Sequence, residues 1–195
     1  MKLPIQVDLK DKVAVVTGAG GVICSVMAEA LAACGAKVAL LDLNEEAAQK
    51  SADAIVANGY VAKGYKCNVL DKESIQAARD AIAADFGTCD ILVNGAGGNN
   101  PKATTDDEYF LPEDMGQMKT FFDLDPDGVS FVFSLNYMGT LLPTQIFAKD
   151  MVNKKGIAEN FRITSSATST EEIGNGIHYG TRTKLKEMGV PFTDH

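Results

Sequence analysis

Tryptophan is absent from the 195 residues, and histidine occurs only twice, as His178 and His195. The four cysteines, Cys24, Cys34, Cys67 and Cys89, stand 10, 33 and 22 residues apart and make no CxxC pair. With so few imidazoles beside them they do not form a zinc ligand set, so no metal is expected. Reduced thiols in a cytoplasmic protein are the expectation instead. Positive charge is also scarce: 18 Lys and Arg against 26 Asp and Glu leave a net charge of −8. Such a surface repels phosphate backbones and anionic lipid, which argues against nucleic acid and membrane as partners. No apolar run approaches the ~20 residues that cross a bilayer. Met1 to Lys12 carries charges throughout, unlike a secretory signal.

What remains is ample for a globule. Hydrophobic residues make up 46% of the chain and charged ones 23%, enough to bury a sizeable core. The length fits a single domain spanning 1–195. Short aliphatic runs alternate with helical segments along the first two-thirds. Val13–Thr17, Val38–Asp42, Tyr60–Val69 and Asp90–Asn94 read as strands. Between them, Val22–Ala33, the segment capped by Asn44, and Lys72–Phe86 read as helices. Gly35 is placed as a helix-ending C′ residue. Alternation at this spacing predicts βαβ units and hence an α/β fold with a Rossmann-like, doubly wound parallel sheet in a three-layer α/β/α sandwich.

Residues 98–124 break the rhythm with mixed polar, acidic and aromatic side chains. A connection this long inside a domain is usually functional or disordered. Asp125-Pro126 then reads as an N-cap and first helical position, opening a helix through Phe131, Leu135 and Leu142. After Met151 the texture changes: Phe161–Ser166 is a weaker fifth strand, and residues 180–188 a short helix. The atypical end, 152–195, points to truncation, a frame shift or incompletely determined sequence.

Thr17-Gly18-Ala19-Gly20-Gly21-Val22-Ile23-Cys24 lies where the first strand meets the first helix. Gly18, Gly20 and Gly21 let the backbone close around a pyrophosphate. Val22 and Ile23 bring the free N–H groups and positive dipole end of the helix. Ile23 stands where the third glycine of G-x-G-x-x-G would fall, so a merely tight turn is the competing reading. Asp42 adds weight. It ends the second strand, 24 residues after Gly18, where a carboxylate binds the adenosine ribose hydroxyls and repels a 2′-phosphate. NAD is therefore favoured over NADP, with a solvated helix cap as the other reading of Asp42.

The pattern resembles the short-chain dehydrogenase/reductase family over about residues 8–185. Thr17-Gly18 opens that family's TGxxxGxG turn, with Val22 and Cys24 replacing its second and third glycines. Asn68-Val69 matches the Asp-Val pair that faces the adenine ring. Asn94-Gly95-Ala96-Gly97 is similar to its NNAG segment, implying that Asn94, Ala96 and Gly97 support the sheet and line the nicotinamide side. Asn136 corresponds to the asparagine of the catalytic tetrad, Ser166 to its serine, and Tyr179, 13 residues further on, to its tyrosine. A narrower resemblance, to the D-mannonate oxidoreductase (fructuronate reductase) branch, rests on the segments 94–108, Phe121–Pro126 and 136–145. It implies a sugar-acid substrate, with residues 98–124 as a substrate loop and Lys102 as a candidate partner of the substrate carboxylate. The family also implies a homo-oligomer, dimer or tetramer.

In the resembled family the tyrosine exchanges the hydroxyl proton, the serine holds the substrate oxygen, and the asparagine holds a relay water. A lysine one helical turn after the tyrosine lowers its pKa, since free tyrosine titrates near 10. Here the spacing departs from Tyr-x-x-x-Lys: Tyr179-Gly-Thr-Arg-Thr-Lys184 puts the lysine at i+5. At ~100° per residue it points about 140° away from Tyr179 around a helix. Thr183 takes the expected place, and Arg182 offers a differently shaped cation. Lys184 is thus a provisional fourth catalytic residue. Two other functions stay open: a non-catalytic nucleotide-binding or partner-binding fragment, and a short-chain reductase for another polyol or a 3-oxoacyl compound.

Overall fold

The computed structural model describes residues 7–109 and 111–155, and the structural statements below concern these. The chain divides after Met151, and the fold described is that of the first unit. Buried aliphatic runs make four strands: β1 (Val13–Thr17), β2 (Lys37–Asp42), β3 (Ala62–Lys66) and β4 (Ile91–Val93). They form one parallel sheet in the order β3-β2-β1-β4. The chain therefore adds strands to one side of β1, then crosses to the other, the doubly wound pattern expected from the sequence.

Helices α1 (Val22–Ala33) and α2 (Glu45–Ala57) pack on one face, α3 (Lys72–Asp85) and α5 (Gly139–Lys155) on the other. Strand alternation divides the core accordingly. Ala14, Val16, Val38 and Leu40 meet the small residues Ala28, Ala32, Ala48 and Ala52. Val13, Val15, Ala39 and Leu41 meet Ile75, Ile82 and Phe147. Strands covered on both faces read as continuous hydrophobic runs, which is why they stand out in the sequence. Arg79 on α3 grips the buried carboxylate of Asp150 on α5 through Nε at 2.6 Å and Nη2 at 2.5 Å.

Two expectations change at the edges. The third strand is shorter than Tyr60–Val69, because Asn68 leaves the ladder: its Oδ1 accepts from Leu70 N and its own N–H donates to Ser74 Oγ. The long helix after Asp125 is interrupted. It begins as α4 (Pro126–Phe133), capped by Asp125, but residues Ser134–Met138 widen into a π turn before α5 begins. The insertion between β4 and α4 holds three short 3₁₀ turns, at Pro101–Ala103, Pro112–Asp114 and Phe121–Asp123. Asp106 and Lys119 pin it shut, each donating its backbone N–H to an oxygen of the other. The fifth strand (161–166) and the helix at 180–188 lie outside the described residues.

At the β3 edge, Asp85 Oδ2 accepts from Lys63 Nζ at 2.6 Å and Tyr65 Oη at 2.8 Å. Lys63 first, and Tyr65 second, hold this carboxyl below its ordinary range. Such a group stabilises the fold above its unfolded pKa, near 3.9, and loses that contribution as pH falls through the lower folded value. Asp85→Asn is expected to flatten the acid side of the stability profile, below about pH 4, in urea melts from acid to neutral pH. An unchanged acid limb would exclude the pairing.

Candidate functional site

The order β3-β2-β1-β4 creates a switch point between β1 and β4, and ligands of open α/β sheets bind outside the carboxyl ends of the strands at such a point. The chain lines that crevice with backbone rather than bulk. Gly18 has φ +67° after β1, and a Cβ there would lie 2.9 Å from the Ala96 backbone. Gly20 is equally constrained, since a Cβ would come within 2.8 Å of Ala47 Cβ and 3.0 Å of the Asp42 carboxylate. Gly21 caps α1 without a side-chain hydrogen bond, and the first turn of α1 carries no acidic residue. α2 and α3 differ: Asn44 and Asp71 cap them, and glutamates occupy their first turns. The uncapped amides and dipole end of α1 therefore suit an anion.

Asp42 closes this turn. Its Oδ2 accepts from Gly20 N at 2.9 Å and its Oδ1 from Asn44 N at 2.9 Å. The carboxylate is thus fixed beside the glycine turn, and each oxygen keeps a further lone pair for a ligand hydroxyl. Val22 and Ile23 are largely exposed at the start of α1. At the end of β3, Val69 is buried against Gly139, where an added Cβ would lie 3.1 Å from Val69 Cγ2.

The β4 end is held by Asn94, which the resemblance implies as a sheet support, and by Thr17 and Thr144, which the sequence did not single out for that task. Fully buried Thr17 accepts through Oγ1 from Gly95 N at 3.0 Å and Ala96 N at 3.1 Å. Asn94 Nδ2 donates to Thr144 Oγ1 at 2.9 Å, while its buried Oδ1 has no hydrogen-bond partner among the described residues. Thr17→Val would strand two amides and is expected to cost about 2 kcal/mol, with Thr17→Ser close to wild type. Paired thermal melts check this; equal melting temperatures for the two variants would contradict it.

Asn136 sits in the π turn, a form often found at functional positions. Its carboxamide donates to Gly98 O and Val132 O, both at 2.8 Å, and accepts from Gly98 N at 3.2 Å. A Cβ on Gly97 would fall 2.7 Å from its Oδ1. The side chain thus staples the start of the insertion to the helix, and its backbone carbonyl accepts from Thr140 Oγ1. Lys102 does not stand free for a substrate carboxylate: its Nζ lies 3.2 Å from Asp125 Oδ2, the α4 cap. The 3₁₀ turn brings Lys102 onto the helix start, where this ion pair lies exposed to solvent.

Gly18, Gly20, Gly21, Asp42, Asn94, Ala96, Gly97 and Asn136 thus gather at the carboxyl edge of the sheet, with Asn68 and Val69 at the end of β3. Ser166, Tyr179 and Lys184 lie outside the described residues.

The family model for short chain dehydrogenases matches residues 12–184. An uncharacterized oxidoreductase of Haemophilus influenzae is 56% identical over 156 residues, covering 80% of this chain and 55% of that protein. The uncharacterized oxidoreductase UxuB of Bacillus subtilis is 42% identical over 150 residues, covering 77% and 53%. A crystal structure from Haemophilus influenzae with bound NAD, named provisionally as a D-mannonate oxidoreductase, aligns at 58% identity and TM-score 0.72. That alignment covers 74% of this chain and 51% of the other. The chain spans about half the length of the curated relatives it matches.

Proposed function

We propose that this chain, which belongs to the short-chain dehydrogenase family, is part of an NAD-dependent oxidoreductase whose substrate is a sugar acid, D-mannonate or D-fructuronate. The observation that carries the cofactor reading is Asp42, fixed by the Gly20 amide beside the uncapped start of α1. A ribose diol fits that carboxylate, and a pyrophosphate fits the amides of Val22 and Ile23. The cradle has room for backbone alone at Gly18 and Gly20, as close passage of a phosphate chain requires. NAD supplies the hydride acceptor; the chain supplies its placement. Asn68 and Val69 would flank the adenine, and Asn94, Ala96 and Gly97 the nicotinamide side.

The substrate assignment rests on the likeness to the NAD-bound relative and on the insertion, which Asn136 ties to the crevice. In this reading residues 98–124 enclose the substrate, and the whole chain works as one cofactor domain. Tyr179 exchanges the hydroxyl proton, Ser166 holds the substrate oxygen, Asn136 positions the relay, and Lys184 supplies the cation. The working form is a cytoplasmic homo-oligomer, supported by free cysteines and by the exposed Phe133 just before the π turn and Tyr137 within it.

Loss of NADH absorbance with D-fructuronate tests the reading. Turnover with D-fructuronate above that with xylulose and a 3-oxoacyl thioester is expected. Activity confined to one of the others would replace the substrate, and calorimetric NAD binding without any turnover would leave the chain a nucleotide-binding unit.

A further inference from the structure

Gly95 is constrained from two sides. Its N–H donates to Thr17 Oγ1 at the end of β1, and its carbonyl accepts from Cys24 Sγ at 3.7 Å in the first turn of α1. A Cβ built on Gly95 would overlap that sulfur and approach Thr17 O to 2.9 Å. Cys24, 8% exposed, therefore occupies the volume that any side chain at position 95 would need. The consequence reaches the phosphate turn, because Gly18 already lies against the Gly95 carbonyl and the Ala96 backbone, where a Cβ would stand 2.9 Å from each. Moving 95–96 outward would move that turn.

We propose that Cys24 and Gly95 are a matched size pair that sets the spacing between the two walls of the crevice, with Cys24 a positioning residue for NAD. The proposal rests on the cofactor reading above. Cys24 contributes bulk and a weak S–H donor. Burial, and then the Asp42 charge, push its thiol pKa up. It therefore stays protonated as a donor and is a poor nucleophile. The pairing also accounts for a residue as large as cysteine so early in α1: the missing side chain is on the other wall.

The test compares NAD affinity by calorimetry with thermal melting in the wild type, Gly95→Ala, Cys24→Val and the double variant Cys24→Ala/Gly95→Ala. Gly95→Ala and Cys24→Val each add a methyl at the contact from opposite sides, and each is expected to weaken NAD binding at least tenfold. The double variant removes the sulfur and is expected to recover most of the Gly95→Ala loss, the Thr17 carbonyl accounting for the remainder. Ile82→Val, buried in the opposite layer, lowers the melting temperature without changing NAD affinity, which separates positioning from stability. Gly95→Ala binding within threefold of wild type, or a double variant no tighter than Gly95→Ala, overturns the pairing and leaves the cofactor reading standing. A wild type that binds no NAD overturns both.

Discussion

Asp42→Ala is expected to weaken NAD binding about 30-fold while NADP binding changes little or improves. A charge-assisted hydrogen bond to a carboxylate contributes about 1.5–3 kcal/mol. A net loss near 2 kcal/mol on removing the ribose contact corresponds to about 30-fold in Kd. The second half of the expectation comes from what Asp42 holds in this structure. Its two oxygens accept from Gly20 N and Asn44 N. Truncation to alanine frees both amides and removes the charge that opposes a 2′-phosphate, so the same edit that costs NAD a partner offers NADP two donors. Asp42→Asn separates the effects, because the carboxamide oxygen still accepts one amide while the charge is gone. Calorimetry with both dinucleotides decides: a parallel loss for NAD and NADP would mean that the turn had collapsed and that Asp42 is a structural cap.

The sequence carried the sheet and most helices because their signals are local. Val13–Thr17 and Lys37–Asp42 are unbroken aliphatic runs, and Asn44 and Asp71 cap their helices through their own side chains. The glycine turn and Asp42 were legible for the same reason: a strand end, small residues and a carboxylate at a fitting distance. Contacts between distant segments were not. Nothing near Lys102 announces that its ammonium meets Asp125, and the carboxamide of Asn136 reaches back 38 residues to the Gly98 peptide. In sequence, Val22 and Cys24 are simply two departures from the glycines of the TGxxxGxG turn. The structure shows Val22 projecting into solvent and Cys24 fitted against a glycine 71 residues away. Even the π turn was hidden, because 134–138 has ordinary helical composition, and its widening makes sense only with Asn136 bonded to both Gly98 and Val132.

That staple sets the second large effect. Asn136→Leu keeps similar bulk and removes three hydrogen bonds, two to Gly98 and one to Val132. Gly98 and Asn136 are exposed, so water replaces much of the lost bonding and the stability cost stays small, about 1 kcal/mol. The placement of the insertion is a different matter. Gly98 is its first residue, and without the carboxamide residues 98–99 keep only the local Asn99 contacts, the next tie to the rest of the fold being the Pro101–Ala103 turn on Lys119 and Asp125. A displacement of about 1 Å at a reacting centre costs on the order of 100-fold in rate. NADH turnover is therefore expected to fall about 100-fold, with NAD affinity changed less than threefold because Asn136 borders the cofactor site only at Gly97, away from the turn of Gly18 and Gly20 and from Asp42. Amide hydrogen exchange supplies a readout independent of turnover: the amides of 98–104 should exchange faster in the variant, and those of β1 should not. Unaltered exchange at 98–104, or NAD affinity falling in step with turnover, would show that Asn136 acts on the sheet itself and not on the loop it holds.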